Sequence, residues 1–309
     1  MVRGTRIAAF AGVVIVALFA AAVAVPVPAA ASVLCDATII TDLKLNHNLV
    51  CSGDGLTVGA SGVTIALKGH TIAGIVGDPI DTGTVGILVD GVSDVVIKGP
   101  GTVRGFDFGV LVLGSTDVVV KKITATHNGE AGIGLEGSSH VVVKNNVATG
   151  SHHDGIQLFE SHYNVIKDNR AVDNQGAANS CGINLIASNH NRVEENYVAD
   201  NTLSGIQLFD AVGNSIEENE VSETGGGPIA STGGLRVVGS SSGNVFEENE
   251  IEDNTNGVSF VGSLALGNTF EENEIEENVC GVMGTAVAIA GNTFDENDFE
   301  DNGEDFCIP

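Results

Sequence analysis

The segment NTFEENEIEEN, residues 268–278, decides the fold because close copies of it recur along the chain. NSIEENEVSET begins at Asn214, NVFEENEIEDN at Asn244 and NTFDENDFEDN at Asn292. In each copy apolar residues alternate with polar ones over short runs, which is the period of a β-strand and not of a helix. Segments that repeat in this way predict a stack of equivalent units.

The repeat extends far towards the N-terminus. Blocks that begin VVIKGPG, VVVKKIT and VVVKNNV start at residues 95, 118 and 141, and further blocks start at 164, 191, 214, 244, 268 and 292. Each block holds three short strand-like runs separated by Gly, Asn and Asp, and one run has the form G-[IV]-x-[LVF]. A repeat of this kind predicts one coil of an all-β, single-stranded parallel β-helix, or β-solenoid. We expect about ten coils, stacked about 4.8 Å apart.

The repeats resemble those of a known group. The consensus N-x-[VIF]-x-x-N-x-[VAI]-x-x-N, together with LKGHTIAG at residues 67–74, is similar to the right-handed parallel β-helix proteins of the pectin-lyase-like superfamily. Within it the chain looks most like the NosD-like and mannuronan C-5-epimerase-like repeat proteins. The resemblance implies a right-handed β-helix over residues 32–309, with a cap and first coil at 32–70. It is weaker for activity, because the group mixes lyases, epimerases, hydrolases and non-catalytic proteins.

The N-terminus has the pattern of an export signal. Arg3 and Arg6 precede an apolar run at residues 7–25, and small residues end at Ala31. This predicts a signal peptide at residues 1–31 and a protein that is secreted, periplasmic or held at the cell surface. An uncleaved membrane anchor is the alternative, since the run is almost long enough to span a bilayer. After cleavage no membrane contact is expected.

The five cysteines would lie in an oxidising compartment if the chain is exported. Cys35 and Cys51 are close in sequence, so we expect them to pair, and Cys280 with Cys307 is the next pair. Cys181 is then left over, and an odd number leaves the connectivity open.

Asparagines recur at one place in successive coils. Asn tolerates the left-handed backbone of a tight bend, and stacked amides can hydrogen-bond along a column. We therefore predict a structural ladder of Asn146, Asn169, Asn196, Asn219, Asn249, Asn273 and Asn297.

Acidic residues recur with the same period, and the formal net charge is −27. This charge argues against a nucleic acid or an anionic membrane as partner. The register predicts two outward columns, Glu217, Glu247, Glu271 and Asp295, and Glu220, Glu250, Glu274 and Asp298. A solvated acidic face favours solubility. The alternative is a weak Ca²⁺-binding surface of carboxylates; the sequence identifies no specific metal site and no certain cofactor.

The x position of G-[IV]-x-[LVF] is expected to face outwards, where the resembled superfamily has its substrate groove. Amide side chains occupy it in the middle of the chain, and two phenylalanines follow two residues later. Amides beside exposed rings suit sugar binding. The predicted substrate-binding residues are Gln157, Phe159, Asn184, Gln207 and Phe209. Long loops within residues 72–86, 174–181 and 224–234 are expected to wall this face.

A catalytic hypothesis rests on the segment SHHDG. His153 could act as a base, Asp154 as its orienting partner and Arg236 as the group that neutralises a substrate carboxylate. Arg236 is expected about four coils away, roughly 15–20 Å. Hydrolysis by paired carboxylates, and soft-metal binding by His152, His153 and Cys181, are further options.

Two functional classes follow from these patterns. The first is a secreted protein that binds an extracellular polysaccharide and, if catalytic, acts as a uronate lyase or C-5 epimerase. The second is a non-catalytic structural or cell-surface β-helix with an acidic, cation-binding face. The sequence leaves the oligomeric state open.

Overall fold

The computed structural model describes residues 34–75, 83–176, 179–225, 232–262 and 264–309. The predicted signal peptide lies outside the described residues, as do parts of all three long loops. Among the described residues, no helix combines the length and apolarity needed to cross a membrane.

The described chain winds into a right-handed parallel β-helix of about 11 turns. Each turn contributes one strand to each of three parallel sheets, and the strands are numbered β1 to β34 along the chain. The fold prediction is confirmed, and the turn number is close to the expected one.

Sheet A has 12 strands and is the widest, because most of its strands have six residues. Its strands are β1 (Ala37–Ile39), β4 (Leu56–Val58), β7 (Val85–Asp90), β10 (Phe108–Leu113), β13 (Ala131–Glu136), β16 (Asp154–Phe159), β19 (Cys181–Ile186), β22 (Ser204–Phe209), β25 (Gly233–Val238), β28 (Asn256–Val261), β31 (Cys280–Met283) and β34 (Phe306–Cys307).

Sheet B has 11 strands, most of them with three residues. They are β2 (Leu43–Lys44), β5 (Thr64–Ala66), β8 (Val96–Lys98), β11 (Val119–Lys121), β14 (Val142–Lys144), β17 (Val165–Lys167), β20 (Arg192–Glu194), β23 (Ser215–Glu217), β26 (Val245–Glu247), β29 (Thr269–Glu271) and β32 (Thr293–Asp295).

Sheet C also has 11 strands. They are β3 (Leu49–Cys51), β6 (Thr71–Gly74), β9 (Thr102–Arg104), β12 (Thr124–Thr126), β15 (Val147–Thr149), β18 (Arg170–Val172), β21 (Tyr197–Ala199), β24 (Glu220–Ser222), β27 (Glu250–Glu252), β30 (Glu274–Glu276) and β33 (Asp298–Glu300). A short helix, α1 (Ala286–Ala290), follows β31 and is capped by the Thr285 side chain.

The core is a stack of identical inward positions. On sheet B the central residue of each strand points inwards, so Ile216, Phe246 and Phe270 are fully buried in successive coils. The rings of Phe246 and Phe270 stack with centroids 4.4 Å apart. Burying each such side chain contributes about 1.5–3 kcal/mol, so the inward columns stabilise every coil against its neighbours.

The predicted asparagine ladder lies at the corner between sheets B and C. Asn169 Nδ2 donates to Asn196 Oδ1 at 3.0 Å and to the Val143 carbonyl at 2.8 Å. The same oxygen of Asn196 also accepts from the Asn169 backbone N–H at 2.9 Å. Each buried amide thus satisfies the backbone groups that the bend leaves unpaired.

One detail of that prediction is wrong. The left-handed residue of each bend is not the ladder asparagine but the residue before it, such as Asp168 (φ 53°) or Glu195 (φ 51°). The asparagine must instead point inwards for its amide to reach the neighbouring coils. Two further ladders were not predicted, and they run through Asn164, Asn191, Asn214, Asn244, Asn268 and Asn292, and through Asn254, Asn278 and Asn302.

The cysteines lie at the two ends and in the middle of the β-helix. Cys35 is bonded to Cys51 at the first coil, and Cys280 to Cys307 at the last. Cys181 is free and buried at the start of β19.

Candidate functional site

The outer face of sheet A carries the residues that the sequence singled out, but their exposure differs from the expectation. Gln157, Asn184 and Gln207 stack in consecutive coils, yet they are only 7 %, 6 % and 7 % exposed. Phe159 and Phe209 are 42 % and 40 % exposed. The rings are therefore available to a ligand, whereas the amides are engaged within the protein.

The amides form a directed chain of hydrogen bonds. Arg236 Nη1 donates to Gln207 Oε1, Gln207 Nε2 donates to Asn184 Oδ1 at 2.9 Å, and Asn184 Nδ2 donates to Asp154 Oδ2 at 2.9 Å. An arginine can only donate and an ionised carboxylate can only accept, so the two ends set the orientation of both amides. We call this series, from Arg236 to Asp154, the amide chain.

Asp154 begins β16 and is 2 % exposed. Its Oδ1 accepts the Cys181 backbone N–H at 3.0 Å, and its Oδ2 also accepts from Gln157 Nε2 at 3.1 Å. Burial raises the pKa of Asp154 to about 6 and the nearby Glu130 adds to the rise, although the three hydrogen bonds oppose it. The carboxyl therefore changes charge close to neutral pH.

Glu130 is the residue that orients His153. Its Oε2 lies 2.8 Å from His153 Nδ1, and its Oε1 accepts from Gln157 Nε2 at 3.0 Å. The predicted partner, Asp154, makes its hydrogen bonds to Gln157, Asn184 and the Cys181 backbone instead. With Nδ1 held by a carboxylate, Nε2 of His153 is the ring nitrogen left for a ligand or a proton.

The sequence reasoning missed Glu130, although a signal existed. Glu130 lies 23 residues before His153, so the two occupy the same place in successive coils. A search of the repeat register for carboxylates beneath the histidine would have found it.

A cleft of about 480 Å³ opens on this part of sheet A. Its lining combines apolar side chains with carboxylates and one amide: Asp107, Phe108, Glu130, Glu136, Gln157, Phe159 and Ile186. Partial burial, and secondarily Glu130, raises the pKa of Glu136. The cleft is centred nearer the N-terminus than predicted, and neither Gln207 nor Phe209 lines it.

Arg236 lies outside the cleft. Strand pairing places it three coils from Gln157, and not four coils from the histidine segment, so the separation is about 14 Å. Burial lowers the pKa of Arg236. Its contact with Gln207 connects it to Asp154 through the amide chain, not to the cleft.

The structure also shows which possible metal ligands lie close enough together to share an ion. Within the described residues, the only group of three or more that brings possible ligand atoms within 4.8 Å of one another is Glu250, Glu252 and Glu276 on sheet C. His152, His153 and Cys181 do not form such a group, and burial raises the thiol pKa of Cys181 well above its usual value. Both predicted acidic columns are in register across the coils.

Comparisons with known proteins agree with this architecture. The family model described as right handed beta helix region matches residues 54–181, 85–238 and 177–302. No curated protein sequence matches the chain.

Among solved structures, the A-module of the Azotobacter vinelandii mannuronan C-5 epimerase AlgE4 is similar, at 16 % identity over 87 % of this chain and 89 % of that one, with a TM-score of 0.68. Pectate lyase Pel9A matches at 15 % identity over 88 % and 79 %, with a TM-score of 0.60. The chain spans 43 % of the enzymatically active domain of bacteriophage CBA120 tailspike protein 2, which covers 78 % of this chain at 13 % identity and a TM-score of 0.52. At these identities the likeness shows the fold alone.

Proposed function

The chain belongs to the right-handed β-helix family, and from that premise we propose that it is an exported protein that binds a polysaccharide in the cleft on sheet A. The observation that carries the proposal is the lining of the cleft, where the exposed Phe159 ring lies with the Glu130 carboxylate, which hydrogen bonds to His153 and Gln157 hold in place. Sugars present apolar C–H faces and hydroxyl donors, which such a lining can bind together. The N-terminal pattern and the two disulfides support export.

The charge of the cleft narrows the kind of polysaccharide. Asp107, Glu130 and Glu136 line it, and no lysine or arginine is among its described lining residues. A polyuronate would place its carboxylates against these acids and be repelled. A neutral glycan would instead donate its hydroxyls to them, so we propose a neutral polysaccharide as the ligand.

Isothermal titration with a panel of neutral glycans and with alginate and pectate tests this proposal. Phe159→Ala should weaken neutral-glycan binding about tenfold or more, since a buried phenylalanine is worth about 1.5–3 kcal/mol. Phe209→Ala is the matched control, because Phe209 is similarly exposed on sheet A but lies outside the cleft. Equal losses in both variants would contradict binding in the cleft, and no binding by any glycan would favour the non-catalytic structural role.

Proton transfer is a second candidate function, favoured by the 2.8 Å contact between Glu130 and His153. In a uronate lyase or C-5 epimerase, His153 Nε2 would take the C-5 proton of the sugar, and Glu130 would stabilise the imidazolium. The substrate carboxylate would need a bound cation, since Arg236 is three coils from Gln157.

Time-resolved proton NMR of alginate and pectate with calcium would reveal this activity. The expected result is new signals from unsaturated or epimerised uronate, lost in His153→Gln but retained in His152→Gln. Unchanged spectra with the wild-type protein would eliminate this second candidate and leave the binding proposal intact.

A further inference from the structure

One straight column of charged side chains runs along the outer face of sheet B, and its sign changes once. The first four members are basic and the next five are acidic, each paired in register with the next: Lys98, Lys121, Lys144, Lys167, Glu194, Glu217, Glu247, Glu271 and Asp295. We call this series the charge column.

The charged side chains in the middle of the charge column are ion-paired within the chain. Lys167 Nζ lies 2.5 Å from Glu195 Oε1 and 3.3 Å from Glu194 Oε1. Arg192, on the same strand as Glu194, lies 2.5 Å from Glu194 Oε2 and 2.7 Å from Glu217 Oε2. Two cations thus pair with three carboxylates, and every member of the charge column in these three coils has a partner within the chain.

The two ends of the charge column are not neutralised. In the part of the chain that the structure describes, Lys98, Lys121 and Lys144 form no ion pair at one end, and Glu247, Glu271 and Asp295 form none at the other. Like charges at the coil spacing of about 4.8 Å repel one another. Each end therefore carries three like charges, and a facing row of three opposite charges would offset their mutual repulsion.

The ends are matched to each other in number and in distance from the centre. Counting from Glu194, the unpaired lysines stand two to four coils towards the N-terminus and the unpaired acids two to four coils towards the C-terminus. Because every coil has the same rise, a second copy turned end to end has the same spacing in reverse order. A two-fold axis parallel to β20 at the level of Glu194 would place all three lysines of each copy opposite the three acids of the other.

The neighbouring column on the same face also suits a self-contact. Beside the lysines it consists of half-buried valines, Val96, Val119, Val142 and Val165, and beside the acids of Val245, Thr269 and Thr293. The same two-fold axis would place these valines of one copy opposite the valine and threonines of the other. Small β-branched side chains would then pack beside the ion pairs. At the corner Lys122 would similarly oppose Glu272, whereas Asp168 would oppose Glu218 at some cost.

We infer that sheet B is a self-association surface, on which two copies pair antiparallel through the charge column. The column spans about 38 Å, eight intervals of about 4.8 Å, but it is only a few side chains wide, which is typical of a weak interface. The net charge of −27 on each copy opposes pairing. Screening at physiological salt limits that repulsion to about 8 Å, so the ion pairs between the facing charge columns determine whether two copies associate. Because salt also screens these pairs, association should disappear at high salt. The cleft on sheet A is outside this contact, so the inference stands apart from the proposed function.

Sedimentation equilibrium of the purified protein tests the inference. We expect a monomer–dimer equilibrium at about 0.1 M salt and a monomer at about 1 M salt, where the Debye length falls to about 3 Å. A chain that stays monomeric at about 0.1 M salt up to high concentration overturns the inference.

Two charge-reversal variants make the test specific. Lys121→Glu with Lys144→Glu gives an acidic column, and Glu247→Lys with Glu271→Lys gives a basic one. Each variant alone should dimerise at least tenfold more weakly, and an equimolar mixture should form a heterodimer, because the two columns are then complementary in every coil except that of Glu194, which faces its own copy. Recovery in the mixture also shows that both variants are folded.

Lys68→Glu with Arg104→Glu is the matched control, because it makes the same change in net charge as the lysine variant at exposed cations outside the strands of sheet B. This control should dimerise like the wild type. Equal weakening in the control, or a mixture that stays monomeric, would contradict the inference. The lysine end also lines a cleft of about 510 Å³. If the protein stays monomeric and binds alginate through Lys121 and Lys144, that end is a polyanion site and the self-association inference is overturned.

Discussion

Asp154 should make the stability of the protein fall as the pH rises through 6. Its pKa is about 6 in the folded state, against 3.8 for an unburied aspartate. A difference of about two pH units corresponds to about 3 kcal/mol of unfolding free energy. Since the folded state holds the proton more tightly, this contribution is fully present below the unfolded pKa and is lost as the pH rises through the folded one.

The Asp154→Asn variant isolates this effect. Asparagine has nearly the same shape but does not titrate, although its amide N–H groups would meet the donors Gln157 and Asn184. The variant is therefore less stable, but by an amount that does not follow the titration of residue 154. Urea denaturation of both proteins, at intervals between about pH 4 and pH 7.5, gives the difference in unfolding free energy at each pH.

We expect the difference, wild type minus variant, to fall by about 2 kcal/mol between about pH 4 and pH 6.5, since part of the full contribution is already lost at pH 4, just above the unfolded pKa. The acidic columns titrate in both proteins, so their contribution cancels. Asp90→Asn, which removes an exposed carboxylate from the end of β7, controls for the loss of a charge elsewhere. A flat difference would refute the raised pKa, and a rising one would show that the hydrogen bonds from Cys181 and Asn184 outweigh burial.

Three further results are expected. Asn219→Ala should lower the unfolding free energy by about 2–3 kcal/mol, because it leaves buried backbone groups unsatisfied; Asn46→Ala, at an exposed position whose backbone is not left-handed, should cost far less, and equal losses would contradict the ladder. Cys181 should not react with a thiol reagent in the native protein but should react after unfolding, since its thiol is buried and its pKa is raised; rapid native labelling would contradict its burial. At a protein concentration low enough for the chain to be monomeric, raising the salt from about 0.05 M to 0.5 M should increase the thermal midpoint by a few degrees, because salt screens the columns in which desolvation and then neighbouring acids raise the pKa of Glu247 and Glu276; a falling midpoint would contradict this.

The fold could be predicted because residues one repeat apart occupy equivalent positions in adjacent coils. Once Asn214, Asn244, Asn268 and Asn292 are aligned, every residue between them has a known neighbour above and below. The strand period then assigns each side chain to the core or to the outside. This is why the acidic columns and the inward phenylalanines could be placed without a structure.

The depth of a side chain could not be predicted in the same way. Alternation shows that Gln157 points out of the coil, but not that Glu130 and Asp154 engage its amide. Those contacts depend on side chains from two different coils and on rotamers that no local pattern encodes. For the same reason the sequence assigned Asp154 to His153, although the structure places a different carboxylate there.

The column of lysines on sheet B is not apparent from the composition of the chain. Only 13 lysines and arginines stand against 40 acids, so an average over the chain suggests a uniformly acidic surface. The coil geometry instead collects four of those lysines into one column and places five acids on the same line. In a β-helix, a residue type that is rare in the composition can still dominate one face, because a single repeated position is enough to build it.

The fold and the choice of ligand depend on different residues of the chain. A stack of coils supplies the flat outer face of sheet A whatever its outward residues are, so a shared architecture says little about the polymer that binds there. What differs from protein to protein is the charge of a few outward positions. Here Asp107, Glu130 and Glu136 bring three carboxylates into the cleft, and no lysine or arginine is among its described lining residues. The carboxylates of a polyuronate would be repelled by these side chains. We therefore expect the cleft to prefer a neutral polysaccharide, even though the mannuronan epimerase and the pectate lyase have the same fold.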